Sequence, residues 1–488
     1  MLKMNKETTR GWNIKLPAQE FLALHAANMS SEVLASHDPL TNNTARQQKA
    51  SEAAMKRHNP RVILFHDPGD AINPHDVLES RPGDIFTVAI PALFMPNGHS
   101  PWQSLGPQPA LAAQTYALGV NKEAVNVVFA SDRGVYADRL MDALGLSADA
   151  APDARVTETE RQIHTKAVNI AAENGITGAN DIRTILQLAV LQHNLRAAAQ
   201  TAATTVADAK TLGVFHATQT GRLVKVGQDD NLMDAYARAQ SRGLGGIMDR
   251  ARNTMRCDAP AAADKEKDIA VFCCCDARAQ CHHAFGSDRI TSYASVGVFI
   301  PPYGQYPDHP TYAFIDQAWQ DGVRTFTVLG HEDCGGIKAL VEQRLAQRSG
   351  KKKTHGAVID TYLSQASSVI DNALDFVGAL QAGGEKIAKK QIYDLAAKEV
   401  KKWSARNVAN HAASKGYRDA GVLTYFLEIG TRNIQALDMN EPIDDTWARM
   451  RGVKPTEYLH KVGDITPLAA PFQPRHGHST PVLHWLGL

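Results

Sequence analysis

Short continuous apolar runs recur along this chain, each closing on a polar turn that leads into a helix-prone stretch. Two are plainest. Ile269 to Phe272 ends on three cysteines and Asp276, and "RTFTVLGH" ends on His331. Apolar runs of this length bounded by turns fit strands buried on both faces of a parallel sheet. After the second run, "CGGIKALVEQRLAQ" reads as a helix beginning near Cys334. The alternation predicts an α/β fold: a central, mostly parallel sheet flanked by helices. Side chains at strand C-termini beside a helix start occupy the binding crevice of such a sheet.

Composition narrows the picture. The 488 residues are 44% hydrophobic and 21% charged, with a net charge of +1. That suffices for sizeable cores and argues against disorder. A near-zero balance gives no electrostatic case for nucleic acid or a membrane surface as partner. No run of about 18 apolar residues exists to span a bilayer, and the start lacks the apolar core of a signal peptide. A soluble, cytoplasmic protein is expected.

The six cysteines, at 257, 273, 274, 275, 281 and 334, all fall within one stretch. A disulfide scaffold would spread them, so the clustering suits metal binding in a reducing compartment. One cysteine from 273 to 275, with His331 and Cys334, makes a Cys2His set. Zinc prefers thiolate and imidazole, and three protein ligands leave a position for water, as in catalytic sites. Adjacent strand residues point to opposite faces, so Cys273 and Cys275 share one side and Cys274 takes the other. The spacing does not choose between the faces.

Cys274-x-Asp276-x-Arg278, followed 57 residues after the cysteine by His331-x-x-Cys334-Gly335-Gly336, resembles the β-class carbonic anhydrase signature. "IPPYGQY" (300–306) and a closing strand near "GVLTYFLEIG" (421–430) extend the resemblance over 268–440. It implies zinc on Cys274, His331 and Cys334, one ion per chain, and reversible hydration of CO2 to bicarbonate. Asp276 would orient the nucleophile, Arg278 would hold Asp276, and the Gly335 N–H would donate to substrate. In some members the aspartate instead binds zinc and closes the site. Cys273 and Cys275 are then spare, and Cys281, His282 and His283 read as the start of a helix. The same site could hydrolyse carbonyl sulfide or carbon disulfide, or serve only as a zinc-stabilised scaffold. Retention of Asp276 and Arg278 speaks against the scaffold.

The first half repeats the pattern without the ligands. "RVILFHDPGDAINPHDVL" (61–78) sets on 269–285 with Phe65 on Phe272, and "VVFASDRGVYADRL" (127–140) sets without a gap on 327–340. Asp67, Ser131 and Gly134 then stand opposite Cys274, His331 and Cys334. A tandem duplication follows: a helical arm (1–58), a degenerate carbonic-anhydrase-like domain (59–240), a linker (241–267), the zinc domain (268–440) and an extended tail (441–488). Family members are dimers, so the resemblance implies a fused pseudo-dimer, itself pairing into a homodimer.

Each family site takes its apolar wall from the partner. The resemblance places that wall at Phe86 and Tyr116 in the first copy, with His58 as a polar contact to bicarbonate. The matching positions in the second copy are Thr291 and Asp316. The copy with ligands thus lacks the wall, and the copy with the wall lacks ligands.

Overall fold

The computed structural model describes residues 60–452 except 69–73, 75–84, 91–108, 147–155, 221, 241–253, 257–266, 268, 277, 280, 282–289, 307–308 and 430–433. The expected arm, His58, His282, His283 and the tail beyond 452 lie outside the described residues.

Two sheets form. The first contains β1 (Val62–His66), β2 (Ile85–Ala89), β3 (Val125–Ser131), β4 (Thr211–Ala217), β5 (Arg222–Val226) and β6 (Thr254–Arg256), in the order β2-β1-β3-β4-β5-β6. The second contains β7 (Ile269–Cys274), β8 (Ile290–Ser295), β9 (Thr325–His331), β10 (Gly421–Leu427) and β11 (Ile434–Ala436), in the order β8-β7-β9-β10-β11. In each, four parallel strands are followed by an antiparallel fifth, and β6 adds a sixth to the first sheet. The registers of the first three strands in each order agree as well. Val62 pairs with Ile85 and Val125, while Ile269 pairs with Ile290 and Thr325. VILFH and IAVFCC are buried at every position, as expected of strands covered by helices on both faces.

The covering helices in the first half are α1 (Pro109–Val120), α2 (Val135–Leu144), α3 (Glu158–Glu173), α4 (Ala179–Ala203) and α5 (Leu232–Gln240). Those in the second are α6 (Pro310–Gln320), α7 (Gly335–Arg348), α8 (Ala357–Ser364), α9 (Ser367–Ala382), α10 (Lys389–Ser414) and α11 (Ile443–Met450). Two segments differ from expectation. The stretch read as a linker supplies β6, which pairs with β5. Residues 443–450, read as part of an extended tail, are helical. Pro442 sits at the N-cap, where it breaks nothing, Asp444 and Asp445 oppose the helix dipole, and Trp447 is buried.

The two sheets meet through β2 and β8. The Thr87 N–H donates to the Cys275 carbonyl at 3.1 Å, and Thr291 Oγ1 donates to the Pro68 carbonyl. Pro68 and Cys275 are matched positions just past β1 and β7, so the contact is close to reciprocal. Helix α1 crosses over to pack on α8 and on the turn at Val296–Val298.

That turn is strained. Gly297 has φ 64° and Val298 φ 49°, the latter unfavourable for a β-branched side chain. One face of α10 holds it. Lys401 Nζ donates to the Gly297 carbonyl, Ser404 Oγ to that of Val298 at 2.8 Å, and Asn407 Nδ2 to that of Ile300 at 2.7 Å. The spacing of three residues puts these side chains on one stripe.

Three buried histidines set an acid limit on the fold. Burial lowers His66 and His216 to about 4 and His309 to about 3, against weaker opposing contacts from Asp67 and Asp132 at the first two. His309 caps α6 by accepting from the Thr311 N–H at 3.3 Å, which requires a neutral ring. Below the ordinary histidine pKa the unfolded chain binds protons that the folded chain refuses, so stability falls with falling pH until the folded pKa is reached. Each histidine should therefore cost about 2 kcal/mol between pH 7 and pH 5. Urea midpoints at the two values check this, and His309→Gln should reduce the difference.

Candidate metal centre

Three strand and helix ends converge on one point. Cys274 is the last residue of β7, His331 is the last residue of β9, and Cys334 is the N-cap of α7. β7 and β9 are adjacent and parallel, so their C-terminal ends lie side by side. The donor atoms of these residues all lie within 4.8 Å of one another, and all three side chains are buried. Cys274 Sγ and Cys334 Sγ are 3.9 Å apart. This resolves the choice left open by strand parity: among the three consecutive cysteines, Cys274 faces His331 and Cys334, and the Cys273 thiol instead meets Cys281.

The imidazole is prepared as a ligand. His331 Nδ1 donates to the Glu332 carbonyl at 2.8 Å, which fixes the ring and leaves Nε2 facing the sulfurs. Nε2 is buried without a hydrogen-bond partner. An orphaned buried nitrogen beside two thiols is costly unless a cation takes it up. Burial alone would lower the His331 pKa, but the Cys334 and Cys274 sulfurs outweigh it and raise it well above the ordinary value. Contact with the Cys274 thiol, and then the imidazole, push Cys334 well below its ordinary value against burial. Two soft sulfurs and one imidazole fit zinc, with one coordination position left over.

Asp276 and Arg278 stand beside the ligands. Asp276 Oδ1 accepts from the Arg278 N–H and Nε, both at 2.9 Å, and Oδ2 accepts from Nη2 at 2.7 Å. Both carboxylate oxygens are therefore held by the guanidinium, with Oδ2 3.9 Å from His331 Nε2. This arrangement orients the carboxylate as an acceptor at the site's edge. Arg278 also bonds Asp333 through Nη1 at 3.1 Å, and Asp333 pairs with Lys338. Burial would lower the Arg278 pKa; these carboxylates raise it instead, so it remains charged.

The first half reaches into this centre. Phe86 on β2 is 1% exposed, and its ring centroid lies 6.1 Å from that of Tyr116 on α1. The Tyr116 hydroxyl rests on Gly335, where any Cβ would overlap it. Burial first, then the charges of Cys334, Asp276 and Cys274, raise the Tyr116 pKa well above its ordinary value, so the phenol stays protonated. A Cβ on Gly336 would fall 2.7 Å from Val296 Cγ1. Both glycines of the motif are thus positions where another surface comes close to the backbone.

The matched positions in the second half do something else. Thr291 bonds the Pro68 carbonyl. Asp316 Oδ1 accepts from His411 Nε2 at 2.7 Å and from the Tyr417 hydroxyl at 2.9 Å, both in its own half. In the first half, Ser131 Oγ accepts from the Arg133 N–H at 3.1 Å, as a turn residue does. The Gln187 amide donates to the Gly134 carbonyl and occupies the space a side chain at 134 would need.

Sequence reasoning missed Lys401. It is fully buried, its stem packs against Gly330 next to His331, and the two ligand thiolates partly offset the burial that lowers its pKa. Lysines at 398, 401 and 402 in a helix whose neighbours are apolar were the available signal.

No helix among the described residues is long and apolar enough to cross a membrane. Residues 269–427 match the family model for carbonic anhydrase. No curated protein matches the chain. Similar solved structures include the β-carbonic anhydrase CcaA, 20% identical over 36% of this chain and 74% of that one, with a TM-score of 0.31. A tetrameric β-carbonic anhydrase from Sordaria macrospora is 19% identical over 36% of this chain and 83% of that one, with a TM-score of 0.30. CafA from Aspergillus fumigatus is 17% identical over 40% and 86%, with a TM-score of 0.30.

Proposed function

We propose, for a chain whose residues 269–427 match the carbonic anhydrase family model, that this region is a β-class domain that catalyses reversible hydration of CO2 with one zinc per chain. The observation that carries the reading is the buried Cys274–His331–Cys334 cluster with Asp276 held beside it by Arg278. Zinc bound there supplies a water acidic enough to act as a nucleophile near neutral pH. Two thiolates donate more charge than histidines do, so activity should rise into the alkaline range.

The protein's own groups do the rest. Asp276 accepts a hydrogen bond from the nucleophile and fixes its direction. Arg278 keeps Asp276 ionised and in place. The Gly335 N–H, at the start of α7, donates to a substrate oxygen. Phe86 and Tyr116 supply the apolar wall from the first copy.

Asp276→Asn tests the reading. The ligands are intact in this variant, so zinc should remain at one per chain while stopped-flow CO2 hydration falls by about 10²–10⁴-fold. Unchanged turnover would remove Asp276 from the chemistry. Running carbonyl sulfide beside CO2 identifies the preferred substrate.

The two halves are read as a tandem duplication folded into a pseudo-dimer. Matching strand order, matching registers and the near-reciprocal Thr87–Cys275 and Thr291–Pro68 bonds support this. The first copy keeps no zinc ligand and serves as the wall. Phe86→Ala with Tyr116→Ala should retain zinc and lower kcat/KM by about 10-fold or more, as loss of substrate positioning does. Wild-type kinetics in a well-folded double variant would reduce the first copy to a scaffold. Buried thiol ligands suit a reducing cytoplasm, and pairing of two chains would give four copies per assembly.

A further inference from the structure

The two halves end differently. In the first, β6 covers the outer edge of β5 through Arg222–Arg256, Leu223–Met255 and Val224–Thr254. In the second, β11 is the last strand of its sheet, and nothing among the described residues pairs with its outer edge. An open edge presents unpaired N–H and C=O groups and invites association, so proteins cover or block such edges.

The internal match supplies a register for the missing strand. Val214–Lys225, Phe215–Val224 and His216–Leu223 pair in the first half. Tyr425–Ala436, Phe426–Gln435 and Leu427–Ile434 pair in the second. Every one of these residues is displaced by 211. The next helix obeys the same shift: α5 begins at Leu232 and α11 at Ile443, and 443 − 232 is 211. Each packs on the long helix of its own half, α5 on α4 and α11 on α10. Three successive elements thus share one displacement with no insertion between them. Carried one element further, it takes Thr254 and Met255 to Ile465 and Thr466.

We infer that the chain's own C-terminal segment completes the second sheet, with Ile465 and Thr466 pairing antiparallel to Gln435 and Ile434 of β11. The inference rests on the duplication reading given above. The chain continues past α11 for residues 453–488, enough to return to β11 by a connection as long as that between α5 and β6. The local sequence, "KVGDITPL", is suited to an edge strand. Val462, Ile465 and Thr466 are β-branched. Pro467 falls at the position of Arg256, at the end of the paired stretch, where a missing N–H is tolerated. Pro467, Pro471 and Pro474 would stop further strands from adding to the new edge.

The test is a disulfide placed across the pair in the full-length chain. Gln435→Cys with Ile465→Cys matches Val224→Cys with Thr254→Cys, the same ladder position in the first half. Directly opposed residues on antiparallel strands are about 4.5–5.5 Å apart at Cα, within disulfide range. Both variants are oxidised with glutathione disulfide, and the bridged peptides are mapped by mass spectrometry. A 435–465 bridge within one chain is expected. A bridge between two chains overturns the inference in favour of tail exchange. No bridge at 435–465 while 224–254 forms overturns it outright. Hydrogen exchange decides independently: Ile465→Pro should speed exchange of the amides at 434–436 by about 10-fold or more, and unchanged protection there rejects the pairing. Zinc content and CO2 hydration are measured on the same samples. An inactive chain that still bridges would overturn the proposed activity and leave the tail pairing standing.

Discussion

Cys334→Ser should leave the protein with almost no zinc and lower CO2 hydration by more than about three orders of magnitude. The size of the effect follows from the geometry. Among the described residues three donors converge on the site, each buried, with the two sulfurs 3.9 Å apart. Removing one leaves a single thiolate and a single imidazole. A serine hydroxyl would have to lose a proton to replace the thiolate, at a pKa far above that of cysteine, so it does not restore the set. The loss also reaches stability, because His331 Nε2 then stays buried without a partner, at a cost of about 1–3 kcal/mol. Elemental analysis should fall from one zinc per chain to near none, alongside a lower thermal midpoint. A variant that keeps full zinc would show that the ligand set is wrong.

Gly335→Ala should lower both stability and activity, and its cause lies in the other half of the molecule. A methyl group at 335 lands on the Tyr116 hydroxyl. Tyr116 cannot simply swing aside, because it is packed beside Phe86 and α1 is docked on α8 and the Val296–Val298 turn. The clash should cost about 1–3 kcal/mol of stability and lower CO2 hydration by about 10-fold or more, since the same methyl group crowds the Gly335 N–H. Tyr116→Ala added to Gly335→Ala should recover most of the stability. Residues in direct contact show coupling of about 0.5–3 kcal/mol in such a cycle. Strict additivity would mean that the first half does not touch the metal centre in solution.

Much of the centre was legible from the chain alone, for a physical reason. "IAVFCCC" and "TVLGHEDCGG" place chemical residues at the ends of buried strands, and a strand followed by a tight turn leaves little freedom in where those side chains go. The matched run 127–140 on 327–340 was legible for the same reason, since strand–turn–helix units tolerate few insertions. Parity along a strand narrowed three cysteines to two faces but could not orient them. That depends on which side β9 presents, a tertiary fact. The Gly335–Tyr116 contact joins positions 219 residues apart, and only the resemblance, not any local pattern, connected Tyr116 to the site. The buried lysines of α10 escaped because charge usually marks a solvated face, whereas here Lys401 is spent on the Gly297 carbonyl. The helix at 443–450 escaped because prolines drew the segment toward an extended reading, while its ends carry well-placed charges.

The contact between Tyr116 and Gly335 lies within a single polypeptide. A wall borrowed from a separate subunit is lost on dilution, when the subunits part. On the proposed reading of Phe86 and Tyr116 as that wall, the tether keeps the lender at a fixed, high local concentration, whatever the amount of protein present. Specific activity should therefore hold constant from micromolar down to the lowest assayable concentration, even where larger assemblies fall apart. The tether also ensures that each half holding Cys274, His331 and Cys334 is made together with one half holding Phe86 and Tyr116.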